Sequence, residues 1–141
     1  MIFVDTSAWY ANEVEDDQNH FRARKFLKNE LAANKYGLLV TSDYVLDETL
    51  TLLRTRRGIK AALGFINKVR KSESLQIVWI GNEIFDNAVE VLSKSGERQD
   101  FSFTDCTSFS IMKDLSITDA YSFDSHFQKA GFNMLPRHHY E

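Results

Sequence analysis

Three aspartates stand at the end of a predicted strand or at the start of a predicted helix. Asp5 directly follows the apolar run Ile2-Phe3-Val4, and Asp124 follows residues 120–123, the end of the strand predicted over residues 117–123. Asp105 begins a predicted helix after a polar loop. In open parallel α/β sheets the carboxyl ends of the strands share one edge, and ligands bind there. We therefore expect these three carboxylates, which are distant in sequence, to meet in one pocket.

A fourth carboxylate can reach the same edge from the helix predicted over residues 44–56. Helical periodicity places Asp47 and Glu48 on opposite sides of the apolar stripe of that helix, and both flank the stripe. Spacing alone therefore does not separate Asp47 from Glu48.

Such a cluster has a definite chemistry. Carboxylates that share a pocket repel one another and lose hydration, which raises their pKa values unless a cation neutralises them. An all-oxygen set of ligands suits Mg²⁺ or Mn²⁺ and disfavours zinc, which prefers His and Cys. These ions bind phosphate oxygens, lower the pKa of bound water and stabilise an in-line displacement at phosphorus. The pattern favours metal-dependent phosphodiester hydrolysis.

Helix capping is the alternative explanation for each aspartate. An Asp at a helix N-cap accepts hydrogen bonds from unpaired backbone N–H groups and stabilises the helix by about 1 kcal/mol. Ser, Thr or Asn would cap equally well, so capping does not explain why acids recur at these junctions. If the acids serve only as caps, the protein is a non-catalytic module that binds RNA or a protein partner.

The elements that must position these acids alternate along the chain. Periodicity predicts strands over residues 2–4, 38–41, 75–80, 117–123 and 132–135, and helices over residues 7–12, 20–33, 44–56, 59–71, 84–95, 104–115 and 125–129. Short strands joined by helix-length connections indicate a parallel sheet covered on both faces. We predict an α/β fold, a three-layer α/β/α sandwich in a single domain over residues 1–141.

Composition narrows the class of protein. The chain has 141 residues and a net charge of −3, with six Gly, one Pro and one Cys. Few Gly and Pro exclude a turn-rich β-sandwich, and the lone Cys106 excludes a disulfide framework or a zinc site built on cysteine pairs. The apolar runs are too short for a membrane span or a signal peptide. We expect a cytoplasmic protein with no membrane partner.

The charge is unevenly distributed. Residues 54–71 carry seven basic side chains and no acid, so the rest of the chain carries −10. We call residues 54–71 the cationic segment. It offers a surface for a nucleic acid backbone without sequence readout, and the candidate RNA-binding residues are Arg54, Arg56, Arg57 and Lys60. A solvated helix face is the alternative, which the lack of any compensating acid in the segment disfavours.

Two other metal-dependent α/β classes fit less well. A phosphatase of this type needs an Asp-x-Asp pair after the first strand, but Asp5 is followed by Thr6-Ser7. A phospho-receiver needs an acceptor Asp after the third strand, which ends in Ile80-Gly81.

Four short segments occur in an order and at a spacing typical of one family. They are Ile2-Phe3-Val4-Asp5-Thr6-Ser7, Thr41-Ser42-Asp43-Tyr44-Val45-Leu46-Asp47-Glu48-Thr49, Ser102-Phe103-Thr104-Asp105-Cys106-Thr107-Ser108-Phe109, and Phe123-Asp124-Ser125-His126-Phe127 followed by Ala130-Gly131-Phe132. Together they resemble the motifs of the PIN-domain ribonucleases, particularly the VapC-type toxins of toxin–antitoxin pairs. The resemblance runs from Met1 to about Pro136 and favours Glu48 over Asp47.

The resemblance implies a Mg²⁺- or Mn²⁺-dependent endoribonuclease. In such an enzyme Asp5, Glu48, Asp105 and Asp124 would hold the metal and position the attacking water, leaving a 5′-phosphate and a 3′-hydroxyl. Thr6 or Ser7 would orient the first acid, although capping the first helix is an equal alternative for them. The family also implies a homodimer and a small antitoxin protein that covers the site.

The remaining candidates carry weaker signals. None of the histidines has a spacing typical of metal ligands, and the pattern does not favour His126 as an acid–base group although it stands beside Asp124. His138 and His139 are expected in a solvated tail. Cys106 is expected to pack as a small apolar side chain beneath Asp105.

Overall fold

The computed structural model describes residues 1–137, in which strands and helices alternate. The strands are β1 (Ile2–Val4), β2 (Leu39–Ser42), β3 (Leu75–Val78), β4 (Asp119–Tyr121) and β5 (Asn133–Leu135). The helices are α1 (Thr6–Glu13), α2 (His20–Phe26), α3 (Asp43–Arg57), α4 (Ile59–Lys71), α5 (Asn82–Ser95), α6 (Phe103–Asp114) and α7 (His126–Lys129), with a π-helical turn over Leu27–Leu31 that continues α2.

The five strands form one parallel sheet in the order β3-β2-β1-β4-β5. β1 lies at the centre, where Phe3 pairs with Val40 on one side and Ala120 on the other. Strands β2 and β3 lie on one side of β1, and β4 and β5 lie on the other. Because β1 and β4 pair in parallel, their carboxyl ends are neighbours. This is the edge at which the sequence predicts the aspartates to meet.

Helices cover both faces of the sheet, which confirms the predicted α/β/α sandwich. Alternation along β1 sends Ile2 and Val4 into a core with α1 and α2, and Phe3 into a core with α6 and α7. A third apolar cluster joins α1, α3 and α4 around Leu53 and Phe65. Helices on both faces of the sheet therefore contact the short central strand that precedes Asp5.

Tertiary contacts shorten two predicted strands. The third was expected to reach Ile80, but the Ile80 N–H donates to Asp43 Oδ1 at 2.9 Å instead of continuing the ladder. The fourth was expected over residues 117–123. The Ile117 N–H bonds to Met112 O at the end of α6, and the Phe123 N–H bonds to Ser7 Oγ, so the strand covers only residues 119–121.

Two further expectations concern the ends of the chain and the membrane. His138 and His139 lie outside the described residues. Across residues 1–137, no helix combines the length and apolarity needed to cross a membrane.

Candidate active site

Asp5 is the N-cap of α1 and is held by one of its two carboxylate oxygens. Oδ2 accepts the Ser7 N–H at 3.3 Å, the Ser7 hydroxyl at 2.8 Å and the Ser122 hydroxyl at 3.0 Å. Asp5 is only 4% exposed. The cap is thus Asp5, as the capping alternative for the aspartates allowed, and not Thr6 or Ser7, which the sequence also allowed. Thr6 Oγ1 lies 3.4 Å from Val45 O, facing α3.

Asp105 is held in the same manner at the start of α6. It forms a reciprocal capping box with Ser102: the Ser102 N–H donates to Asp105 Oδ2 at 3.1 Å, and the Asp105 N–H donates to Ser102 Oγ at 3.0 Å. Cys106 is fully buried behind it.

Asp124 follows β4 in a tight polar turn. Its N–H donates to Ser122 Oγ at 3.0 Å, and its Oδ1 accepts the His126 N–H at 3.0 Å. The Ser122 hydroxyl therefore contacts both Asp5 and Asp124, which couples the positions of two carboxylates from different strands.

Glu48 lies in the second turn of α3 and is half-buried, while Asp47 is exposed. Loss of hydration is the main reason why the pKa of Glu48 is raised; a hydrogen bond with Thr6 opposes this, and the charges of Asp105 and Asp124 add to it. Glu48 thus interacts electrostatically with Asp105 and Asp124, whereas Asp47 lies on the surface. Among the described residues, the ligand atoms that lie within 4.8 Å of one another come from Asp105, Asp124 and His126.

The cluster holds negative charge at a free-energy penalty. Burial raises the pKa of Asp5 to about 6, although the hydrogen bonds from Ser7 and Ser122 oppose it. Burial also raises the pKa of Asp105, against opposing hydrogen bonds. Among the described ion pairs, the only basic side chain that contacts these acids is His126. Partly desolvated carboxylates with so little cationic compensation form a suitable site for a bound divalent ion.

The free carboxylate oxygens strengthen that fit. Described hydrogen bonds engage Oδ2 of Asp5 and Asp105 and Oδ1 of Asp124, and none of them engages the second oxygen of these residues. One oxygen of each carboxylate thus fixes the rotamer while the other is left for a ligand. Asp105 Oδ2 and Asp124 Oδ1 each accept only one backbone N–H, so they also keep a lone pair for a ligand. Hard oxygen ligands of this kind suit Mg²⁺ or Mn²⁺.

Comparison with known proteins identifies the arrangement. The family model described as "PIN domain" matches residues 2–133. The chain belongs to the PIN-domain family. This confirms the resemblance carried by the four motifs and accounts for the acidic edge of the sheet.

Individual relatives of this PIN domain are named as nucleases. The "23S rRNA-specific endonuclease VapC20" of Mycobacterium tuberculosis is 39% identical over 132 residues, covering 94% of this chain and 95% of that protein. The "VapC ribonuclease" of Archaeoglobus fulgidus is 28% identical over 126 residues, covering 88% and 77%. The crystal structure of M. tuberculosis VapC20, described as a "Sarcin-Ricin loop cleaving toxin", matches with a TM-score of 0.83 at 35% identity, covering 94% of this chain and 96% of that one.

His126 is the residue of this PIN domain that sequence reasoning underrated. Its Nδ1 lies 2.8 Å from Asp105 Oδ2 and 3.4 Å from Asp124 Oδ1. His126, Asp105 and Asp124 each offer one side-chain ligand atom, and these three atoms lie within 4.8 Å of one another. The available signal was its position two residues after Asp124, at the start of α7, but Asp105 comes from a different element 21 residues earlier.

The cationic segment covers the carboxyl-terminal part of α3 and all of α4. Arg54, Arg56, Arg57 and Lys60 are all exposed. Acids from α1 and the residues after it compensate part of the charge: Arg57 pairs with Asp16, and Lys68 pairs with Glu13. The Arg56 guanidinium lies over the Tyr10 ring, 5.5 Å from its centroid. The cationic segment itself contains no acid, but two acids from elsewhere in the chain form ion pairs with it. This weakens the sequence argument that uncompensated charge marks the segment as an RNA-binding surface.

Proposed function

We propose that this PIN domain, over residues 1–141, is a metal-dependent endoribonuclease that hydrolyses RNA phosphodiester bonds. The observation that carries the proposal is the convergence of Asp5, Glu48, Asp105 and Asp124 at one edge of the sheet, with an unengaged oxygen on each aspartate. These four residues would hold Mg²⁺ or Mn²⁺.

The protein's contribution is to fix the ligands before RNA arrives. A bound divalent ion supplies an activated water and stabilises charge on the phosphate during in-line displacement. Ser7 and Ser122 hold the Asp5 carboxylate, and the capping box holds that of Asp105, so these rotamers need no reorganisation. Glu48, on the flanking helix, closes the cluster from the α3 side.

RNA would lie against the cationic segment. Glu48 and Arg54 share helix α3 and are six residues apart, about 9 Å along its axis. A phosphate backbone bound near Arg54 and Lys60 can therefore extend toward the acidic cluster. Arg56 and Arg57 belong to the same surface, with Arg57 also bound to Asp16.

The capping geometry favours one competing function, a non-catalytic binding module. Asp5 does cap α1, and Asp105 does complete a capping box. Capping uses only one oxygen of each carboxylate, however, and does not require the two residues to lie near Asp124 and Glu48. Measurement of RNA cleavage separates the two functions.

The named relatives suggest a biological setting. We propose that the protein is the toxin of a type II toxin–antitoxin pair, acts in the cytoplasm as a homodimer and is neutralised by a small antitoxin protein. Because the M. tuberculosis relatives are named for 23S rRNA, large-subunit ribosomal RNA is the first substrate to test.

The test incubates the protein with ribosomes and with naked total RNA in Mg²⁺, Mn²⁺ or a chelator. We expect cleavage only with metal, at discrete sites, leaving 5′-phosphate ends. Asp5→Asn, Glu48→Gln and Asp105→Asn should each lower the rate by about 100-fold or more, because each removes one charged oxygen ligand.

Asp47→Asn is the matched control, since Asp47 adjoins Glu48 on α3 but is exposed. It should cleave like the wild type. Equal cleavage by the wild type and the three site variants would show that these acids do not form the active site. RNA binding without cleavage in either metal would support the non-catalytic module.

A further inference from the structure

His126 lies among the acidic residues in an orientation fixed by contacts on two sides. Its ring packs edge-on against Phe101, with centroids 5.4 Å apart and planes at 76°. The side chain is 21% exposed, so the ring lies at the rim of the site. The described contacts thus direct its Nδ1 toward the carboxylates and leave the ring accessible to solvent.

The separations around Nδ1 are those of neighbouring ligands on one ion. Two ligands at adjacent corners of an octahedron with bonds of about 2.1 Å stand about 3.0 Å apart. Nδ1 lies 2.8 Å from Asp105 Oδ2 and 3.4 Å from Asp124 Oδ1, which brackets that value. Each of these oxygens accepts one backbone N–H and keeps a second lone pair that can bind an ion.

Local structure also fixes the three groups relative to one another. The His126 N–H binds Asp124 Oδ1 in the turn that begins α7, and the Ser102 N–H binds Asp105 Oδ2. Backbone donors therefore hold both carboxylates, and Phe101 packs against the imidazole, before any ion binds, so few side-chain rotations need to be frozen on binding.

We propose that His126 Nδ1 is a nitrogen ligand of the metal held by Asp105 and Asp124, and that it makes the site prefer Mn²⁺ over Mg²⁺. The inference rests on the proposed function, because it assigns a ligand in that same site. Mg²⁺ is a hard ion that keeps oxygen ligands, whereas affinity for nitrogen-containing sites rises along the transition series from Mn²⁺ onward. The neutral ring carries its proton on Nε2 when Nδ1 binds metal, and on Nδ1 when it donates to Asp105.

The competing role for His126 is positioning, in which the ring N–H at Nδ1 only orients the Asp105 carboxylate. His126→Asn distinguishes the two roles, because the shorter side chain keeps an N–H donor but loses the imidazole nitrogen. Positioning predicts parallel loss of affinity for both ions on substitution. Ligation predicts a loss that is selective for Mn²⁺.

The test is pulsed electron paramagnetic resonance of Mn²⁺ bound to the tag-free protein, which detects nitrogen nuclei directly coordinated to the ion. His20→Asn is the matched control, since His20 Nδ1 lies 2.7 Å from Ala11 O, away from the acids. We expect imidazole nitrogen coupling in the wild type and in His20→Asn, and its loss in His126→Asn. In titrations His126→Asn should bind Mn²⁺ about tenfold more weakly and Mg²⁺ within a factor of about two of the wild type.

The outcomes separate this inference from the function on which it rests. Wild-type protein that binds Mn²⁺ without nitrogen coupling overturns the ligand assignment and leaves the nuclease proposal intact. Coupling that persists in His126→Asn assigns the nitrogen elsewhere and also overturns it. Wild-type protein that binds Mg²⁺ but no Mn²⁺ overturns this inference alone, and wild-type protein that binds neither ion overturns both. The wild-type spectrum alone decides the main point, even if a variant folds poorly.

Discussion

At the scale of single residues, the site combines helix capping with ligand positioning in the same carboxylates. Asp5 caps α1 with the oxygen that Ser7 and Ser122 also bind, and Asp105 caps α6 with the oxygen that contacts His126. Capping and metal binding are therefore not exclusive explanations, because capping leaves lone pairs of each carboxylate free to bind an ion. Burial disfavours the negative charge of the Asp5 carboxylate, which has a measurable consequence for the stability of the protein.

Asp5→Asn should stabilise the metal-free protein at neutral pH. The pKa of Asp5 is 3.8 in the unfolded chain and about 6 in the folded protein, so the folded state binds more protons between these values. Stability from this group is full below about pH 4 and is lost as pH rises through about 6. The two-unit shift corresponds to about 2–3 kcal/mol. Since an Asn carbonyl can still accept from the serines, we expect the variant to gain about 1–2 kcal/mol at pH 7.

Urea unfolding in chelator from pH 4 to pH 8 measures this gain. The difference between variant and wild type should shrink toward pH 4, while Asp47→Asn, which changes an exposed acid, should track the wild type throughout. Added Mn²⁺ should raise the stability of the wild type more than that of Asp5→Asn. A variant less stable than the wild type at pH 7 in chelator would contradict the assignment of buried charge to Asp5.

At the scale of elements, sequence patterns predicted the existence and order of the strands and helices well, and the bounds of some of them closely. β1 and α4 have the predicted bounds, because β1 is one apolar run and α4 is set off by Gly58 on one side and by polar residues on the other. The end of β4 could not be predicted, since the Phe123 N–H leaves the sheet for a serine hydroxyl more than a hundred residues away in sequence. Local propensity carries no information about such a partner.

In the site, too, local sequence patterns predicted some residues, while others depend on contacts between distant elements. Strand ends locate Asp5 and Asp124, because the topology of a parallel sheet brings such positions together. Periodicity alone could not choose Glu48 over Asp47, and the choice needed the family motif. His126 was considered but not favoured, because its contact with Asp105 depends on how α6 and α7 meet.

Gly58 joins α3 to α4 in a conformation that other residues avoid. Its φ of +94° and ψ of 174° fall in a region essentially reserved for glycine, and a Cβ there would meet nothing within 4 Å. Gly58→Ala should therefore destabilise through backbone strain alone, by about 1–3 kcal/mol. Gly64, inside α4 with equally open surroundings, has no positive φ, so Gly64→Ala should stabilise by about 0.5–1 kcal/mol.

Thermal or urea unfolding of the two alanine variants checks this pair. They add the same methyl group to open space at positions six residues apart, so opposite signs isolate the backbone conformation as the cause. Shifts of the same sign would mean that the α3–α4 junction relaxes into a conformation that alanine tolerates.

At the scale of the whole molecule, a net charge of −3 is compatible with RNA binding because opposite charges occupy different places. The acidic cluster lies at the carboxyl edge of the sheet, where a bound divalent ion would offset it. The cationic segment lies on α3 and α4, and Asp16 and Glu13 compensate two of its seven basic side chains. Phosphate contacts should therefore depend on the basic residues outside these ion pairs.

Salt dependence of RNA binding tests this distribution of charge. On the cleavage-deficient Asp105→Asn background, Arg54→Ala and Lys60→Ala should each weaken binding and lower the slope of log K against log salt by about one, as expected for one lost phosphate contact. Arg57→Ala should change the slope less, because its guanidinium already binds Asp16. Lys94→Ala, an exposed lysine on α5, controls for the loss of one positive charge. Equal slopes for Arg54→Ala and Lys94→Ala would show that net charge, rather than the cationic segment, governs RNA binding.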